Sequence, residues 1–550
     1  MTVVISEVPV VIVGGGPVGL AMSLLLGRHG IRSLLVERRQ TTGIHPRARI
    51  INVRTMELLR AWGLDASVRD AGRALATARD VVWMTRLNGT LLRRIPAGGD
   101  PTQVSAHSPT TFCPCTQDAL EPILLSRALR SGLATVQFGV ELVAFNQDQA
   151  GVTLTLVDRD RQEPRVVRAC YLIAADGVTS SIRQALGLQM TGHGVFDHRA
   201  GIYFTADLGA LVRDVAAWLY FIKEKEGDQP SGVFGAVDNA DRWVFMARYD
   251  PRRGESDADF TEARCMEIVR RAVGIPDLAV EIRSVLPWTI GQGVAERLRV
   301  GRVLLAGDAA HVIPPTGGEG MNIGIHDAHN LAWKLAAVLS GWAGSRLLDS
   351  YEDERLPAAR FIGERALLNA ANPGRPESFN NEGQVLGIAY QSDAILTDGT
   401  PAPVVADPVA DYIPTARPGH RAPHVWLERD GARLSTLDLF ESGLTLLAGA
   451  AGRRWCVAAE QRAPALGVPL RAYTVGVGCD LGDPGGMWAQ VYGAGSDGAV
   501  LVRPDGYVAW RAQQGCEDPS TTLDRVLRRV LGRGDGASRE ATSTVRERMN

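Results

Sequence analysis

Six residues near the start of the chain, Gly14 to Gly19 (GGGPVG), have the types and spacing that can hold a pyrophosphate. They match the pattern G-x-G-x-x-G, in which backbone N–H groups at the start of a helix bind phosphate oxygens. Glu37 follows about 20 residues later, where a carboxylate can accept hydrogen bonds from ribose hydroxyls. The pattern alone is a weak signal, because residues 493–498 (GAGSDG) match it as well.

The elements around the two glycine patterns distinguish them. Apolar residues 9–13 predict a buried strand before the first pattern, residues 17–29 predict a helix, and residues 33–37 predict a second strand. This β-α-β order puts the first pattern at a strand-to-helix turn and the carboxylate at the end of the next strand. Residues 493–498 lead into a strand and predict only a turn. The first pattern therefore predicts a dinucleotide site.

Two later segments also combine a strand end with residues suited to ligand binding. The sequence DGVTSSIR (176–183) follows an apolar strand predicted at 171–175. A Gly-Asp pair (307–308) ends another predicted strand, and the irregular stretch PPTGGEG (314–320) separates it from a helix predicted at 321–339. Irregular backbone between two regular elements usually positions a ligand. We therefore expect both segments to contribute to the same site as the glycines.

The three motifs, in this order, resemble the signature of the class A flavoprotein aromatic hydroxylases: G-x-G-x-x-G, then D-G-x-x-S-x-V-R, then G-D. The stretches HPRARI and RTMELL, which begin at His45 and Arg54, resemble the family's flavin-side loop and helix. Gln117 and Glu121, in TQDALEPIL, resemble its flavin-contacting helix. Within the family, GHG, YEDER, RLSTLDLF and LVRPDGYVAWR are most similar to the hydroxylases of bacterial aromatic polyketides. The cofactor that this resemblance implies is FAD.

The resemblance also implies roles for single residues. Arg47 lies beside the flavin, Asp308 binds the ribityl chain, and the backbone of Pro315 lines the reactive edge of the ring. Met321 and Asn322 present N–H groups from a helix N-terminus to the pyrimidine end, where reduction places negative charge. Arg47 and Pro315 are thus candidate catalytic positions. The implied cofactor contacts are Gly14, Gly16, Pro17, Val18, Gly19, Glu37, Arg38, Arg47, Gln117, Asp176, Gly307, Asp308, Pro315, Gly320, Met321 and Asn322.

The activity implied by the resemblance is that of an FAD-dependent monooxygenase. NADPH or NADH passes a hydride to the flavin, O2 adds at its C4a carbon, and the terminal oxygen of the hydroperoxide is transferred to a phenolic ring. The expected substrate is a small, electron-rich aromatic molecule, polycyclic or polyketide-derived, of secondary metabolism. Three alternatives stay open: Baeyer–Villiger-type or other scaffold oxidation, catabolic hydroxylation of a simple or chlorinated phenol, and a non-catalytic flavin- or metabolite-binding protein.

Tyr220 is a candidate base on the substrate side. Some hydroxylases of this family use a tyrosine or histidine to take the proton from a phenol. The strand AWLYFIKE predicts that the side chain of Tyr220 alternates with that of Phe221, so it could face the flavin across a pocket. The favoured interpretation is that Tyr220 packs in the sheet or lines the cavity.

The order of elements predicts a multidomain α/β (α+β) fold. The resemblance implies a Rossmann-like FAD-binding domain of the glutathione-reductase/p-hydroxybenzoate hydroxylase type, formed by residues 1–72, 107–186 and 284–371. Aromatic residues in alternation within 187–283 predict an antiparallel sheet, and the resemblance implies a substrate-binding sheet domain formed by residues 73–106 and 187–283. Residues 372–418 form a connector. The C-terminal part, 419–532, resembles a thioredoxin-like domain without C-x-x-C, and the polar tail at 533–550 is expected to be disordered.

Composition excludes several classes of function. The net charge of −2 over 550 residues gives no general attraction to nucleic acid or to anionic membranes. Glycines interrupt the first apolar run early, which predicts a buried strand instead of a signal peptide or membrane span. The seven cysteines form no paired framework, which fits a reducing cytoplasm. The histidines at 311, 326 and 329, with Asp327, lack a metal-binding motif, and no metal site is expected.

Overall fold

The computed structural model describes residues 6–76, 78, 80–96, 106–223, 232–371 and 381–534. The predicted connector lies partly outside these ranges, at residues 372–380. The predicted disordered tail lies outside them from residue 535 onward. Within the described ranges, no helix has both the length and the apolar character needed to cross a bilayer.

The strands follow one another along the chain with these bounds. They are β1 (Ser6–Val13), β2 (Ser33–Glu37), β3 (Ile50–Ile51), β4 (Asp80–Met84), β5 (Leu91–Pro96), β6 (Cys113–Pro114), β7 (Ala134–Phe138), β8 (Val140–Gln147), β9 (Val152–Asp158), β10 (Pro164–Ala174), β11 (Met190–Thr205), β12 (Leu219–Ile222), β13 (Gly232–Ala236), β14 (Arg242–Tyr249), β15 (Glu281–Ala295), β16 (Arg299–Val300), β17 (Val303–Leu305), β18 (His311–Val312), β19 (Trp426–Arg429), β20 (Ala432–Ser435), β21 (Leu444–Gly449), β22 (Leu470–Val475), β23 (Ala499–Val502) and β24 (Val508–Ala512).

The α-helices, in the same order, alternate with these strands. They are α1 (Pro17–Arg28), α2 (Val53–Ala61), α3 (Asp65–Ala71), α4 (Gln117–Leu129), α5 (Ser181–Ala185), α6 (Gly209–Val212), α7 (Glu262–Val273), α8 (Gly320–Leu339), α9 (Asp349–Ala371), α10 (Glu382–Leu386), α11 (Arg453–Leu466), α12 (Met487–Tyr492) and α13 (Pro519–Val530). Short 3-10 turns connect several of them, including Gly307–Ala309 after β17.

The first sheet positions the three motifs. Its main path has the strand order β16-β17-β10-β1-β2-β7, and β1 pairs in parallel with both β10 and β2. Residues 9–12 of β1 and all of β2 are buried, which explains the apolar runs in these strands. Helices α1 and α8 pack against each other over the sheet. This architecture confirms the predicted dinucleotide-type α/β fold around the glycine-rich turn.

The second sheet has the order β18-β15-β11-β14-β13-β12-β4-β5. Its pairs are antiparallel except β12 with β4, which confirms the antiparallel sheet predicted from the aromatic strands. The strand period of two divides its side chains between two faces. Trp243 and Phe245 belong to a core beneath α7, while Trp83 and Phe221 belong to a cluster that includes Ile50 of the first-sheet region. The second face therefore adjoins the dinucleotide-binding part.

The C-terminal sheet has the order β22-β21-β23-β24, in which only β21 and β22 are parallel. Helices α11 and α13 pack together on it. A hairpin turn at residues 505–506 joins β23 to β24, and Gly506 in it has φ +76°. The core of this sheet continues into Trp333 of α8, so the C-terminal part packs directly on a helix of the first sheet.

A buried ionic network joins the C-terminal part to the two long helices α8 and α9. Arg503, after β23, donates to both carboxylate oxygens of Glu354 on α9, at 2.6 and 2.8 Å. Lys334 on α8 donates to the same carboxylate at 2.7 Å. The three side chains are completely buried. Arg503 also pairs with Asp505 of its own hairpin, so each charge in the network has an opposite neighbour.

Candidate active site

The glycine-rich turn is shaped by close backbone contacts. Gly14 has φ +111°, and a Cβ atom there would lie 2.1 Å from the carbonyl oxygen of Ala175. A Cβ atom at Gly19 would lie 1.9 Å from the carbonyl oxygen of Gly14. Gly16 is the N-cap of α1, Pro17 occupies the first turn, and no side chain caps the helix. Both outer glycines are therefore required by packing, and the helix N-terminus is left open to a ligand.

Space at the middle glycine differs from that at its neighbours. A Cβ atom at Gly16 would meet no protein atom within 4 Å. Gly16 also has an ordinary extended conformation, with φ −77° and ψ −177°. The fold does not require glycine at this position. The position leaves room for a group that approaches the start of α1.

Glu37 ends β2 beside this turn and is buried. Its carboxylate accepts hydrogen bonds from the N–H of Gly15 at 2.6 Å and from the N–H of Arg39 at 2.9 Å. Burial acts to raise the pKa of Glu37, but the hydrogen bonds from Arg39 and Gly15 outweigh it and hold the pKa below its usual value. The carboxylate is thus charged and fixed next to the turn.

The arginine at this carboxylate is Arg39, whose Nε donates to Glu37 at 3.0 Å. Sequence reasoning did not identify Arg39. The side chain of the predicted ligand Arg38 is exposed, and no hydrogen bond or ion pair of that side chain is present within the described residues. Because strand residues alternate sides, residue 39 shares the side of residue 37 and residue 38 does not.

The second motif lies at the carboxyl end of β10, which pairs with β1, and the third lies at the carboxyl end of β17, the next strand of the sheet. Asp176 follows β10, and its Oδ2 accepts from the N–H of Ile182 at 3.4 Å, while Oδ1 is buried without a partner in the described part of the chain. Arg183 donates to the carbonyl oxygen of Ala309 at 3.0 Å, which links the second motif to the third. A buried acceptor without a partner is costly unless a ligand satisfies it.

Val18 joins the first motif to the third. A Cβ atom at Gly307 would lie 2.8 Å from Val18 Cγ2, and one at Gly324 of α8 would lie 2.6 Å from the same atom. The N–H of Gly307 donates to Asp327, also on α8, at 3.0 Å. The turn after β17 is therefore held between α1 and α8, and this fixes the position of Asp308, the residue after Gly307.

That next residue, Asp308, interacts electrostatically with Arg47. Solvent reaches both side chains, yet enough protein surrounds them to desolvate the charges. Desolvation raises the pKa of Asp308, and electrostatic interactions with His311 and Arg47 oppose this. Desolvation, with a contribution from Arg39, lowers the pKa of Arg47. A charge that is both accessible and partly desolvated is typical of a cleft wall.

The irregular stretch before α8 forms a tight turn. Pro314 is buried and Pro315 is exposed. The N–H of Gly318 donates to the carbonyl oxygen of Pro315 at 3.0 Å, and Gly317 and Gly318 have φ +105° and +72°. These two positions require glycine because other residues rarely adopt such φ values. Because Gly317 and Gly318 have no side chains, none covers the backbone of the turn at these two positions.

The start of α8 is the second open helix N-terminus of the site. Within the described residues, the N–H groups of Met321 and Asn322 have no acceptor, and a Cβ atom at Gly320 would meet nothing within 4 Å. The Asn322 side chain is occupied: it accepts from the N–H of Asn52 at 3.0 Å and donates to the carbonyl oxygens of Ile50 and Gly318. It fixes the helix start and leaves only its backbone for a ligand.

Gln117 and Glu121 form one unit on α4. Gln117 donates to Glu121 Oε1 at 2.7 Å, and Glu121 Oε2 accepts from the N–H of Gly43 at 2.6 Å. The N–H of Gln117 donates to the carbonyl oxygen of Ala48. The pair thus holds both ends of the loop that carries Arg47.

Tyr220 does not face this site, which corrects the candidate role of a base. Its side chain is completely buried in the core beneath α7. The hydroxyl donates to Asn239 at 2.9 Å and accepts from the N–H of Ala217 at 2.8 Å. Burial raises the pKa of Tyr220 far above its usual value. Alternation along β12 instead puts Phe221 on the face towards the first sheet.

Replacing Tyr220 with Phe should leave turnover and its pH profile unchanged. The substitution removes two hydrogen bonds inside the core, so we expect about 1–3 kcal/mol less stability. Steady-state kinetics across pH and thermal unfolding of the same sample measure both effects. A fall in coupled turnover that is strongest at low pH would contradict the structural role given to this hydroxyl.

The histidines of residues 311–329 have separate partners. His311 pairs with Asp327 at 2.6 Å, His326 lies 3.0 Å from Thr55 Oγ1, and His329 pairs with Glu441 at 3.3 Å. Across the described ranges, no group of three or more His, Cys, Asp or Glu side chains is arranged to hold a metal ion.

An aromatic surface lies beside the cleft. The rings of Trp83 and Phe221 stack at 5.0 Å, and Phe112 contacts Trp218 edge-on at 5.5 Å. Ile50 packs on this cluster, and its Cβ lies 3.7 Å from the position of a Cβ at Gly318. The side chain of Ile50 therefore lies between the glycine turn and the aromatic cluster.

The loop that carries Arg47 also reaches the second sheet, which sequence reasoning missed. His45 Nδ1 lies 2.8 Å from Ser284 Oγ of β15, and Arg49 Nε donates to the carbonyl oxygen of Ala236 at 3.2 Å. Burial and the charges of Arg47 and Arg49 lower the pKa of His45 to about 4, so the ring is neutral at pH 7. No local pattern marks these contacts, because they depend on how the two sheets pack.

The cleft meets the requirements of FAD. Two open helix N-termini suit a pyrophosphate and an anionic ring, and the free Asp176 oxygen and the vacant space at Gly16 and Gly320 suit a close ligand. The buried carboxylate of Glu37 is the type of group that accepts hydrogen bonds from ribose hydroxyls. With an aromatic sheet face beside the glycine turn, this is the architecture of an FAD-dependent monooxygenase.

Comparison with known proteins supports the assignment to the FAD-dependent monooxygenases. The family model described as an FAD binding domain matches residues 7–366, and the one described as the C-terminal part of aromatic-ring hydroxylases matches residues 415–534. The chain therefore belongs to the FAD-dependent aromatic-ring hydroxylases, which confirms the resemblance. The protein is an enzyme, and the non-catalytic alternative is set aside.

The chain is similar to several characterised proteins over almost its whole length. It is 43% identical over 544 residues to aklavinone 12-hydroxylase of Streptomyces purpurascens, covering 96% of this chain and 99% of that one. It is 42% identical over 558 residues to tetracenomycin A2 monooxygenase-dioxygenase of Streptomyces glaucescens, covering 96% and 98%. The crystal structure of aklavinone-11 hydroxylase with FAD and aklavinone superposes with a TM-score of 0.85 at 40% identity, covering 96% and 99%.

Proposed function

We propose that the protein hydroxylates an electron-rich polycyclic phenol of the aromatic polyketide type, with NADPH or NADH and O2 as co-substrates. The observation that carries the proposal is that the loop of residues 45–50 reaches both parts of the site. Arg47 of this loop interacts electrostatically with Asp308 of the Gly-Asp motif. Arg49 and Ile50 of the same loop contact the aromatic side of the second sheet. A cofactor held by the motifs would therefore have its reactive end next to a flat apolar surface suited to aromatic rings.

Each motif has a proposed role in binding the cofactor. Glu37 accepts hydrogen bonds from the ribose hydroxyls, and the turn from Gly14 to Gly19, together with Asp176, binds the pyrophosphate. Asp308 accepts from the ribityl chain. FAD, when bound, supplies the exchange of a hydride with the nicotinamide and the activation of O2.

The remaining positions concern the ring and its surroundings. The backbone at Pro315 lines the reactive edge, and the N–H groups of Met321 and Asn322 stabilise negative charge at the pyrimidine end. Gln117 fixes the Arg47 loop. Trp83 and Phe221 keep water away from the substrate rings, which protects a reactive site from side reactions.

The C-terminal part, residues 419–532, is proposed to be a thioredoxin-like domain. Its mixed sheet, with one parallel pair followed by an antiparallel hairpin, and its flanking helices α11 and α13 support this. Cys456 lies at the start of α11 and is buried, and Ala459 stands where a second thiol would be needed. A structural role follows, because one inert thiol cannot perform disulfide exchange.

The test uses FAD-loaded protein, NADPH, isotopically labelled O2 and aklavinone, the compound bound in the similar crystal structure. We expect NADPH oxidation to accelerate with the phenol and one labelled oxygen atom to enter a ring C–H position. A labelled lactone oxygen would favour the Baeyer–Villiger alternative. NADPH oxidation that yields only hydrogen peroxide, with aklavinone and with simple and chlorinated phenols alike, would contradict hydroxylation.

Replacing Arg47 with Ala should slow flavin reduction by NADPH about tenfold or more while the protein stays folded and yellow. The positive charge beside the ring stabilises the reduced anion and steers the NADPH phosphates, and a charge-assisted contact is worth about 1.5–3 kcal/mol. Stopped-flow reduction measures the rate. The matched control is Arg32→Ala, an exposed arginine after α1. Equal rates in both variants would show that Arg47 only anchors its loop.

A further inference from the structure

Two buried hydrogen-bond donors beside the aromatic cluster have no partner within the described residues. They are Nη2 of Arg49 and the indole Nε1 of Trp218. Trp218 is 4% exposed and belongs to the aromatic cluster. Buried N–H groups are nearly always satisfied in folded proteins, and one left without an acceptor lowers stability. Two such donors at one place require an explanation.

Ala236 of β13 links the two residues that carry these donors. Arg49 Nε donates to the carbonyl oxygen of Ala236, and the N–H of Ala236 donates to the carbonyl oxygen of Trp218 at 3.2 Å. The guanidinium of Arg49 lies over Gly235, where a Cβ atom would come within 2.3 Å of Cζ. Only a glycine allows the arginine to lie this close to β13. The side chain of Arg49 and the backbone of Trp218 are therefore both anchored at the same residue of β13, beside the aromatic cluster.

The charge of Arg49 is not neutralised by an ion pair within the described residues. Burial lowers the pKa of Arg49 to about 10, so the guanidinium stays charged at neutral pH. Asp118 is the carboxylate that opposes this shift. Its Oδ1 is itself buried without a partner in the described part of the chain, and the two side chains form no salt bridge. A positive charge held in this way beside aromatic rings is suited to an anionic oxygen.

We propose that Arg49 and Trp218 form a subsite for an anionic oxygen carried by the aromatic substrate, either a phenolate or a carboxylate. This inference rests on the proposed function for the existence of an aromatic substrate. The flat rings lie on the face of Trp83 and Phe221, and the ionised oxygen accepts from the guanidinium and the indole. The subsite orients the substrate and favours its electron-rich ionised form. Tyr220 on β12 does not supply this function, because its side chain points to the opposite face of the sheet. Arg49 is thus a specificity-determining residue.

The test measures binding to the FAD-loaded protein with three anthraquinone probes, without NADPH. Alizarin carries an acidic phenol, anthraquinone-2-carboxylate carries a carboxylate, and anthraquinone carries neither. Alizarin also changes from yellow to red when it ionises, so its bound form is visible directly. We expect the wild type to bind one or both acidic probes at least tenfold more tightly than anthraquinone. The probe that binds tightly identifies which source of the anionic oxygen is used.

Arg49→Met keeps the length of the side chain and removes the charge. We expect it to weaken binding of the acidic probe by about tenfold to a hundredfold and to leave anthraquinone binding unchanged. Trp218→Phe, which removes the N–H group and keeps an aromatic ring, should weaken the acidic probe about threefold to tenfold. The control Arg93→Met removes an exposed arginine whose guanidinium lies 5.4 Å from the Trp83 ring centroid, and should bind all probes like the wild type.

Three results would overturn the proposal. They are equal binding of all probes by the wild type, an equal loss for acidic and neutral probes in Arg49→Met, and loss of the acidic probe in Arg93→Met to the same degree. None of these depends on oxygen transfer, so the subsite can fail while labelled oxygen still enters the product. Conversely, a protein that binds red alizarin but incorporates no oxygen would retain the subsite and lose the proposed reaction.

Discussion

Gly16→Val is expected to abolish FAD retention while the protein without cofactor remains as stable as the wild type. Nothing in the described part of the protein lies within 4 Å of a Cβ at Gly16, and its backbone is in an ordinary extended conformation. The new side chain would project from the N-cap of α1 into the space proposed for the pyrophosphate. Losing two charge-assisted hydrogen bonds there corresponds to a drop in affinity of roughly a hundredfold or more.

The measurement is a titration of stripped protein with FAD, followed by flavin fluorescence, together with thermal unfolding of the stripped protein. Gly19→Ala is the contrasting variant. Its Cβ would lie 1.9 Å from the carbonyl oxygen of Gly14, so it should lower the stability of the stripped protein as well as its affinity. Full FAD occupancy in Gly16→Val would show that the cofactor does not approach the start of α1.

Arg503→Met should destabilise the protein by about 3–5 kcal/mol, because removing one member of a buried ion network leaves the others without compensation. Glu354 would keep its ion pair with Lys334, and Asp505 would keep no ion pair among the described residues. Lys334 belongs to α8, the helix whose first turn is part of the proposed flavin site. We therefore expect weaker FAD binding to accompany the loss of stability.

The midpoint of chemical unfolding, with and without FAD, measures this effect. The control is Arg529→Met, which breaks a pair with Asp393 whose side chains are 63% and 90% exposed. Exposed pairs contribute about 0–1 kcal/mol, so the control should unfold nearly like the wild type. Similar small losses in the two variants would show that the buried network is dispensable.

The motifs could be predicted because each of them is a local solution to a local requirement. A strand that turns sharply into a helix needs glycine where Cβ atoms would collide, as at Gly14 and Gly19, and the sequence displays those glycines. The ends of buried parallel strands could be located from continuous apolar runs. Because such ends meet at one edge of a sheet, the convergence of Asp176 and Gly307 could be predicted as well.

What escaped prediction depends on packing between distant segments. Alternation along β12 shows that Tyr220 and Phe221 point to opposite faces, but only the position of α7 determines which face is the core. Arg49 and Trp218 are linked through Ala236 because a loop of the first part crosses the end of β13. Side-chain periodicity carries no information about such crossings.

The order of strands in the first sheet has a consequence for synthesis on the ribosome. Strand β1 lies between β2, which emerges next, and β10, which emerges much later, and β17 joins the far side of β10 later still. Val18 packs where Gly307 and Gly324 lack a Cβ atom. The packing around the first motif is therefore complete only after residue 324 has been synthesised. We expect FAD to bind late, to a nearly complete chain, where it stabilises the finished domain by mass action.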